Sequence, residues 1–216
     1  MKFDSRQDAG WRLGRRLREL AVEADLVAGL PRGGVVVAAA AAAVLQRPLT
    51  ALVVRKIGHP WHREFAVGAL AEEDVLILDQ DAMTQMPSAG AQLESVILEE
   101  KDRLRQYCLK FHSALAATFL GRRVLLVDDG LATGATAEAA VEAARRKGAQ
   151  HIIVAAPVAS TSARDRLTRV ADEVIVLITD ADFYAVGQYY HRFFPTSDEE
   201  VLALLSPQSA AYGSAN

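Results

Sequence analysis

The sequence predicts an α/β fold: a parallel sheet flanked by helices, with a helical insertion. Three observations lead there. Short apolar runs bounded by glycine, proline or charged residues recur between longer helical stretches, the alternation a parallel sheet requires. One of these runs, Val124 to Val127, passes directly into Asp128 and Asp129 and then into a turn rich in glycine and threonine. With 216 residues, 51% hydrophobic and 24% charged, the chain can bury a substantial core. We expect one domain over residues 1–216, the insertion at 80–120, and a frayed tail at 206–216.

The elements follow in order. Residues 4–24 read as an opening helix, in which Arg12, Arg15, Arg16 and Arg18 alternate with Leu13, Leu17 and Leu20, so the arginines form a solvated face. Leu26 to Leu30 is a first strand, Gly34 to Leu45 a helix and Leu49 to Arg55 a second strand. Phe65 to Leu70 and Val75 to Leu78 are short extended pieces. Residues 90–117 form a long amphipathic helix with Leu93, Ile97, Leu104 and Leu115 among its apolar positions. Val124 to Val127 has the apolar continuity of a buried parallel strand, and Ala135 to Lys147 reads as the helix after it. Ile152 to Ala156, Ser162 to Val170 and Glu173 to Leu177 supply strand, helix and strand. Residues 197–205 form a last helix capped by Thr196 or Ser197, with acids in its first turn.

The turn after Val127 lies at a strand's carboxyl end, where open α/β sheets bind ligands. Gly130 and Gly134 let the backbone approach closely, and the unpaired N–H groups opening the next helix sit at the positive end of its dipole. A dianionic phosphate fits there, with Thr133 and Thr136 adding hydroxyl donors. Asp128 and Asp129 would repel that phosphate, and are placed instead to accept from sugar hydroxyls or to hold a divalent cation. Phosphate at one end and a diol at the other describe a ribose 5-phosphate. A receiver domain also pairs acids at a strand end, but too little chain follows Asp129 for that fold. A P-loop would need Gly-Lys-Ser/Thr, and a hydrolase elbow a serine where Thr133 stands.

GLPRGG, Gly29 to Gly34, follows the first strand and precedes a helix, which makes it a second anion-binding turn on the same sheet edge. Arg55 and Lys56 end the second strand, again at the carboxyl edge, as two adjacent cations. Phe183, Tyr184, Tyr189, Tyr190, Phe193 and Phe194 concentrate aromatics after the last strand in a chain that is 6% aromatic. A net charge of −3 gives no general attraction to nucleic acid. Cys108, the single cysteine, precludes an intrachain disulfide and points to a reducing compartment. The alanine-rich run Val35 to Leu45 is far short of a bilayer span and the start carries no signal-peptide core, so a cytoplasmic protein without membrane partners is expected.

The strand, the acid pair and the A-T-G-x-T turn at Ala132 to Thr136 resemble the 5-phosphoribosyl 1-pyrophosphate (PRPP) loop of the type I phosphoribosyltransferases. The family usually has an aliphatic residue where this chain has Gly130, and often a second glycine where it has Ala135. The resemblance implies a Rossmann-like core and transfer of 5-phosphoribose from Mg-PRPP to a nitrogen nucleophile with release of pyrophosphate. It makes Mg²⁺ the cofactor, and PRPP and a small nitrogenous base the partners. Asp128 and Asp129 would hold the ribose hydroxyls and, through them or water, the metal. Gly130 and Ala132 to Thr136 would hold the 5-phosphate. GLPRGG resembles the pyrophosphate loop: Arg32 would pair with the leaving group, Gly33 and Gly34 would expose backbone donors, and Pro31 to Arg32 would be the cis peptide common there.

By the same resemblance Arg55 and Lys56 neutralise the diphosphate, Ile57 to Glu64 takes the place of the loop that closes over PRPP, and Phe183, with Tyr184 beside it, is the base-stacking candidate. Where the 6-oxopurine enzymes carry an aspartate in the phosphate loop this chain has Ala132, which leaves the acceptor open and places the chain nearer adenine-type and unclassified members. Family members are often dimers, so a homodimer is the prior. The same fold also serves regulators that bind PRPP or nucleotides without turnover, and a sugar-phosphate hydrolase is a third reading of the site.

Overall fold

The computed structural model describes residues 2–63, 65–84, 90–112 and 118–206. Leu115, Glu64 and the expected tail beyond Ser206 lie outside these residues.

The first helix, α1 (Arg6–Glu19), is shorter than expected at both ends. Ser5 caps it by accepting the Asp8 N–H on Oγ, and Leu13 and Leu17 are buried beneath the arginine face. Strand β1 (Leu26–Gly29) is fully buried and leads through the GLPRGG turn into α2 (Gly33–Leu45), whose alanines allow it to lie between α1 and the sheet.

The expected second strand is two strands. β2 (Leu49–Ala51) pairs with β1, whereas β3 (Val54–Gly58) pairs antiparallel with β4 (Ala66–Ala71), which pairs with β5 (Val75–Leu78). The chain changes sheets at Leu52 and Val53. Leu52 N–H donates to the Gly29 carbonyl at 3.1 Å, but Val53 N–H donates to Glu72 Oε1 at 2.6 Å. A buried side chain thus takes the bond a neighbouring strand would have made. Arg55 and Lys56 therefore belong to a small antiparallel sheet, which corrects their expected place at the edge of the parallel one.

After β5 come α3 (Gln80–Thr84) and α4 (Gly90–Phe111), the expected long helix, whose expected residues 113–117 lie outside the described ones. Leu93 and Val96 of α4 pack on Ile57, Val67 and Leu70 of the small sheet. Leu104 and Phe111 pack on Val35, Ala51, Val53 and Val201, so the insertion is seated on the core along its whole described length.

β6 (Arg123–Val127) and α5 (Ala135–Arg146) match expectation. β7 (His151–Ser160) is ten residues, twice the expected strand, and runs through Pro157. Its last pair with β6 is Ala155 to Val127, so Pro157 sits where that edge of β7 has lost its strand neighbour and a missing N–H costs little. α6 (Thr161–Leu167) and β8 (Glu173–Asp180) follow, then a 3₁₀ turn at Val186–Tyr189 and α7 (Asp198–Leu205), capped by Ser197 as the sequence suggests. The parallel sheet has the order β2-β1-β6-β7-β8, with α1 and α2 on one face and α5 and α6 on the other. Among the described residues no helix is long and apolar enough to cross a membrane.

Candidate active site at the sheet edge

The turn after β6 is built to face an anion. Gly134 caps α5 at φ +76°, a left-handed conformation that residues with a side chain rarely adopt. No side chain caps the helix, and Thr133 Oγ1 accepts the Ala135 N–H at 3.4 Å. The first-turn amides remain donors at the positive end of α5. Ala132 and Thr133 are exposed, while Gly134 and Ala135 are buried beneath them. The turn is laced to the extension of β7: Leu131 N–H donates to the Val158 carbonyl at 2.9 Å, and Ser160 N–H to the Leu131 carbonyl at 2.9 Å. Ser160 Oγ donates to the Ala132 carbonyl at 2.6 Å.

Gly130 stands where the resemblance expects an aliphatic side chain. A Cβ there would lie 2.5 Å from Val186 Cγ1 and 3.1 Å from Val158 Cγ1, so the space is filled from elsewhere in the chain.

The acid pair is half-buried. Asp129 N–H donates to Asp128 Oδ1 at 2.8 Å, Arg6 Nε donates to Asp129 Oδ2 at 2.6 Å, and Tyr190 OH donates to the Asp129 carbonyl at 2.6 Å. Burial, and then the charge of Asp129 beside it, hold the Asp128 carboxyl well above the usual carboxylate range. Burial likewise raises the Tyr190 hydroxyl, reinforced by the Asp129 charge, which keeps it a donor.

The GLPRGG turn adjoins this pair, and its Pro31–Arg32 peptide is cis. A Cβ on Gly34 would come within 2.8 Å of Asp128 Oδ1, and one on Gly33 would collide with the Asp129 carboxylate. The two glycines thus bring the GLPRGG turn and the acid pair into contact. Arg32 is half-exposed and lies against the start of α7, its Nη1 3.6 Å from Asp198 Oδ1; Lys110 Nζ of α4 donates to Asp198 Oδ2 at 2.6 Å.

A cleft of about 560 Å³ is lined by Leu30 and Pro31, by Asp128 and Thr136 on the core, and by Arg55 and Lys56 of β3, whereas Arg32, Gly33, Gly34, Asp129 and residues 130–135 are not part of its lining. Its remaining wall comes from Val54, from Gly58 and Arg63 of the stretch expected to close over PRPP, and from Glu99, Glu100 and Arg103 of α4, which no sequence motif singles out. Glu100 is buried, its Oε2 accepting from Arg55 Nε at 2.9 Å and its Oε1 from Arg103 Nη1 at 2.5 Å. Glu99 pairs with Arg63 at 3.2 Å. Nothing local distinguishes these acids from a solvated helix face. Arg6, Tyr190 and Ser160 were missed for the same reason.

Phe183 and Tyr184 do not line this cleft. Phe183 stacks on Tyr189, with ring centroids 5.3 Å apart, and Tyr184 is 88% exposed.

Among the described residues no three His, Cys, Asp or Glu side chains converge as a metal cage. The acid pair suits a magnesium ion that takes one or two protein carboxylates and its other oxygens from a phosphorylated ligand.

The described chain is a parallel α/β sheet whose carboxyl edge carries an acid pair and two glycine-containing turns, each opening a helix. The chain belongs to the phosphoribosyl transferase domain family, which matches residues 12–193. It is 43% identical over 204 residues to relatives carrying a phosphoribosyl transferase name in Mycobacterium tuberculosis strains H37Rv and CDC 1551. That alignment covers 94% of this chain and 46% of the relatives, so the chain spans under half their length. The crystal structure of TT1426 from Thermus thermophilus superposes with a TM-score of 0.76 at 42% identity, covering 95% of this chain and 98% of that one.

Proposed function

We propose that the chain transfers a 5-phosphoribosyl group from Mg-PRPP to a nitrogen nucleophile, releasing pyrophosphate. The observation that carries this reading is the single cleft that puts Asp128 and Thr136 across from Arg55 and Lys56. In this reading the turn at Ala132 to Thr136 holds the 5-phosphate and the acid pair holds the ribose hydroxyls. Arg32, Arg55 and Lys56 take up charge as the C1–O bond to diphosphate breaks. The nucleophile's lone pair forms the new C1–N bond and its proton leaves to solvent or to the departing diphosphate. Asp128 and Asp129 would hold a magnesium ion, which would supply charge neutralisation on the diphosphate. The rest is positioning and exclusion of water, which would otherwise hydrolyse the donor. A cytoplasmic role in nucleotide metabolism accompanies this reading.

One observation favours a second reading, a regulator that binds PRPP or a nucleotide without turnover: Phe183 is already stacked on Tyr189, and Tyr184 beside it is exposed. Calorimetric titration of PRPP with and without Mg²⁺, on the native protein and on Asp128→Asn/Asp129→Asn, tests the donor site. Metal-dependent binding lost in the double variant supports it, and no binding at millimolar PRPP overturns it. Pyrophosphate release in a screen of bases then separates transferase from regulator.

A further inference from the structure

Arg6 opens α1, 123 residues before its partner in the phosphate turn, and no motif of the site includes it. Its guanidinium nevertheless makes three contacts at the acid pair. Nε donates to Asp129 Oδ2 at 2.6 Å, Nη1 donates to the Phe194 carbonyl at 2.7 Å, and the plane lies over the Phe193 ring, 3.8 Å from its centroid. The Arg6 and Asp129 side chains are only 12% and 16% exposed. The segment that supplies Phe193 and Phe194 is itself held to the amino terminus: Phe3 N–H donates to the Tyr189 carbonyl at 2.7 Å and His191 N–H to the Phe3 carbonyl at 2.8 Å. Tyr190 from the same segment holds the Asp129 backbone.

A planar, permanently charged fork is suited to this place. It bonds a carboxylate edge-on, stacks on an aromatic face and donates to a carbonyl at the same time; an ammonium can supply the charge but not the plane. A guanidinium fixed against one edge of a carboxylate by a short charge-assisted hydrogen bond sets the direction in which its other oxygen faces. Arg6 also borders the pyrophosphate turn, since a Cβ on Gly33 would lie 2.6 Å from Arg6 Nε.

We propose that Arg6 is the positioning residue of the donor site: clamped by Phe193 and the Phe194 carbonyl, it fixes the Asp129 carboxylate in the orientation that a ribose diol or its metal requires. The inference rests on the PRPP reading above and adds to it a role for α1 and the carboxyl-terminal aromatic segment.

The test is a double-mutant cycle read by calorimetric titration of Mg-PRPP into native protein, Arg6→Gln, Asp129→Asn and the double variant, each checked by thermal unfolding. Arg6→Gln should weaken binding about tenfold or more in the native background and hardly at all once Asp129 is Asn, because it acts through that carboxylate. Arg6→Lys should recover only part of the loss. Equal losses in both backgrounds, or full recovery by lysine, overturn the proposal while leaving the donor site standing. No binding by the native protein overturns both. If Arg6→Gln does not fold, Phe193→Leu, which removes the stack and leaves both charges, replaces it and should weaken binding in the same background-dependent way.

Discussion

Arg55 Nε donates to Glu100 Oε2 at 2.9 Å, across 45 residues of chain, and this contact ties the cation of the small sheet to the insertion helix. Tyr107, two turns further along α4, lies beneath the same guanidinium, 5.2 Å from it. The insertion therefore sets where Arg55 stands in the cleft, as a wall of the site.

Replacing Glu100 by Ala should loosen both Arg55 and Arg103. The carboxylate is buried, but the two arginines are 30% and 53% exposed and can be solvated, so the stability loss should be about 1–2 kcal/mol, well below that for a fully buried pair. Urea unfolding measures it, and PRPP titration should show weaker binding.

Asp129→Asn should lower phosphoribosyl transfer by about two to three orders of magnitude, the usual effect of removing one electrostatic partner of a transition state. Circular dichroism should show a folded protein. Full activity in this variant would take the acid pair out of the mechanism.

Glu72 makes stability sensitive to acid. Its carboxylate accepts from Val53 N–H at 2.6 Å, His112 Nε2 at 3.0 Å and Lys147 Nζ at 2.9 Å. Burial alone would raise its pKa; the His112 and Val53 hydrogen bonds outweigh that and hold it below the usual 4.5. A depressed folded value means the stabilisation is complete above the unfolded value and disappears as pH falls through the folded one. Thermal unfolding should show Glu72→Gln less stable than native at pH 7, with the difference shrinking below about pH 4.5. A constant difference across that range would show that the charge is not what stabilises.

Gly130→Ala should cost about 1–3 kcal/mol by overpacking against Val186. Val186→Ala, by opening that space, should recover much of it in the double variant, as unfolding midpoints would show.

The placement of the candidate site was legible where it is contiguous. Val124 to Thr136 carries strand, acids, turn and helix start in one stretch, and GLPRGG carries the second turn; both stand where the sequence puts them. What was hidden depends on distant partners. No local pattern ends a strand at Leu52, because Glu72, 19 residues beyond Val53, redirects the backbone. Pro157 directly follows the expected end of the strand at Ala156, and its missing N–H is tolerated within β7 because the pairing with β6 has ended at Ala155. Glu100 lies among charged neighbours on a helix, and its burial follows from the sheet that packs above it.

Residues 130 and 186 share one volume. The space a side chain at 130 would occupy is filled by a valine 56 positions downstream, on the 3₁₀ turn of the aromatic segment. The two positions are therefore coupled by packing. Members with a bulky residue at the first should carry a small one at the second, and grafting either loop alone between such members should fail where exchanging both succeeds.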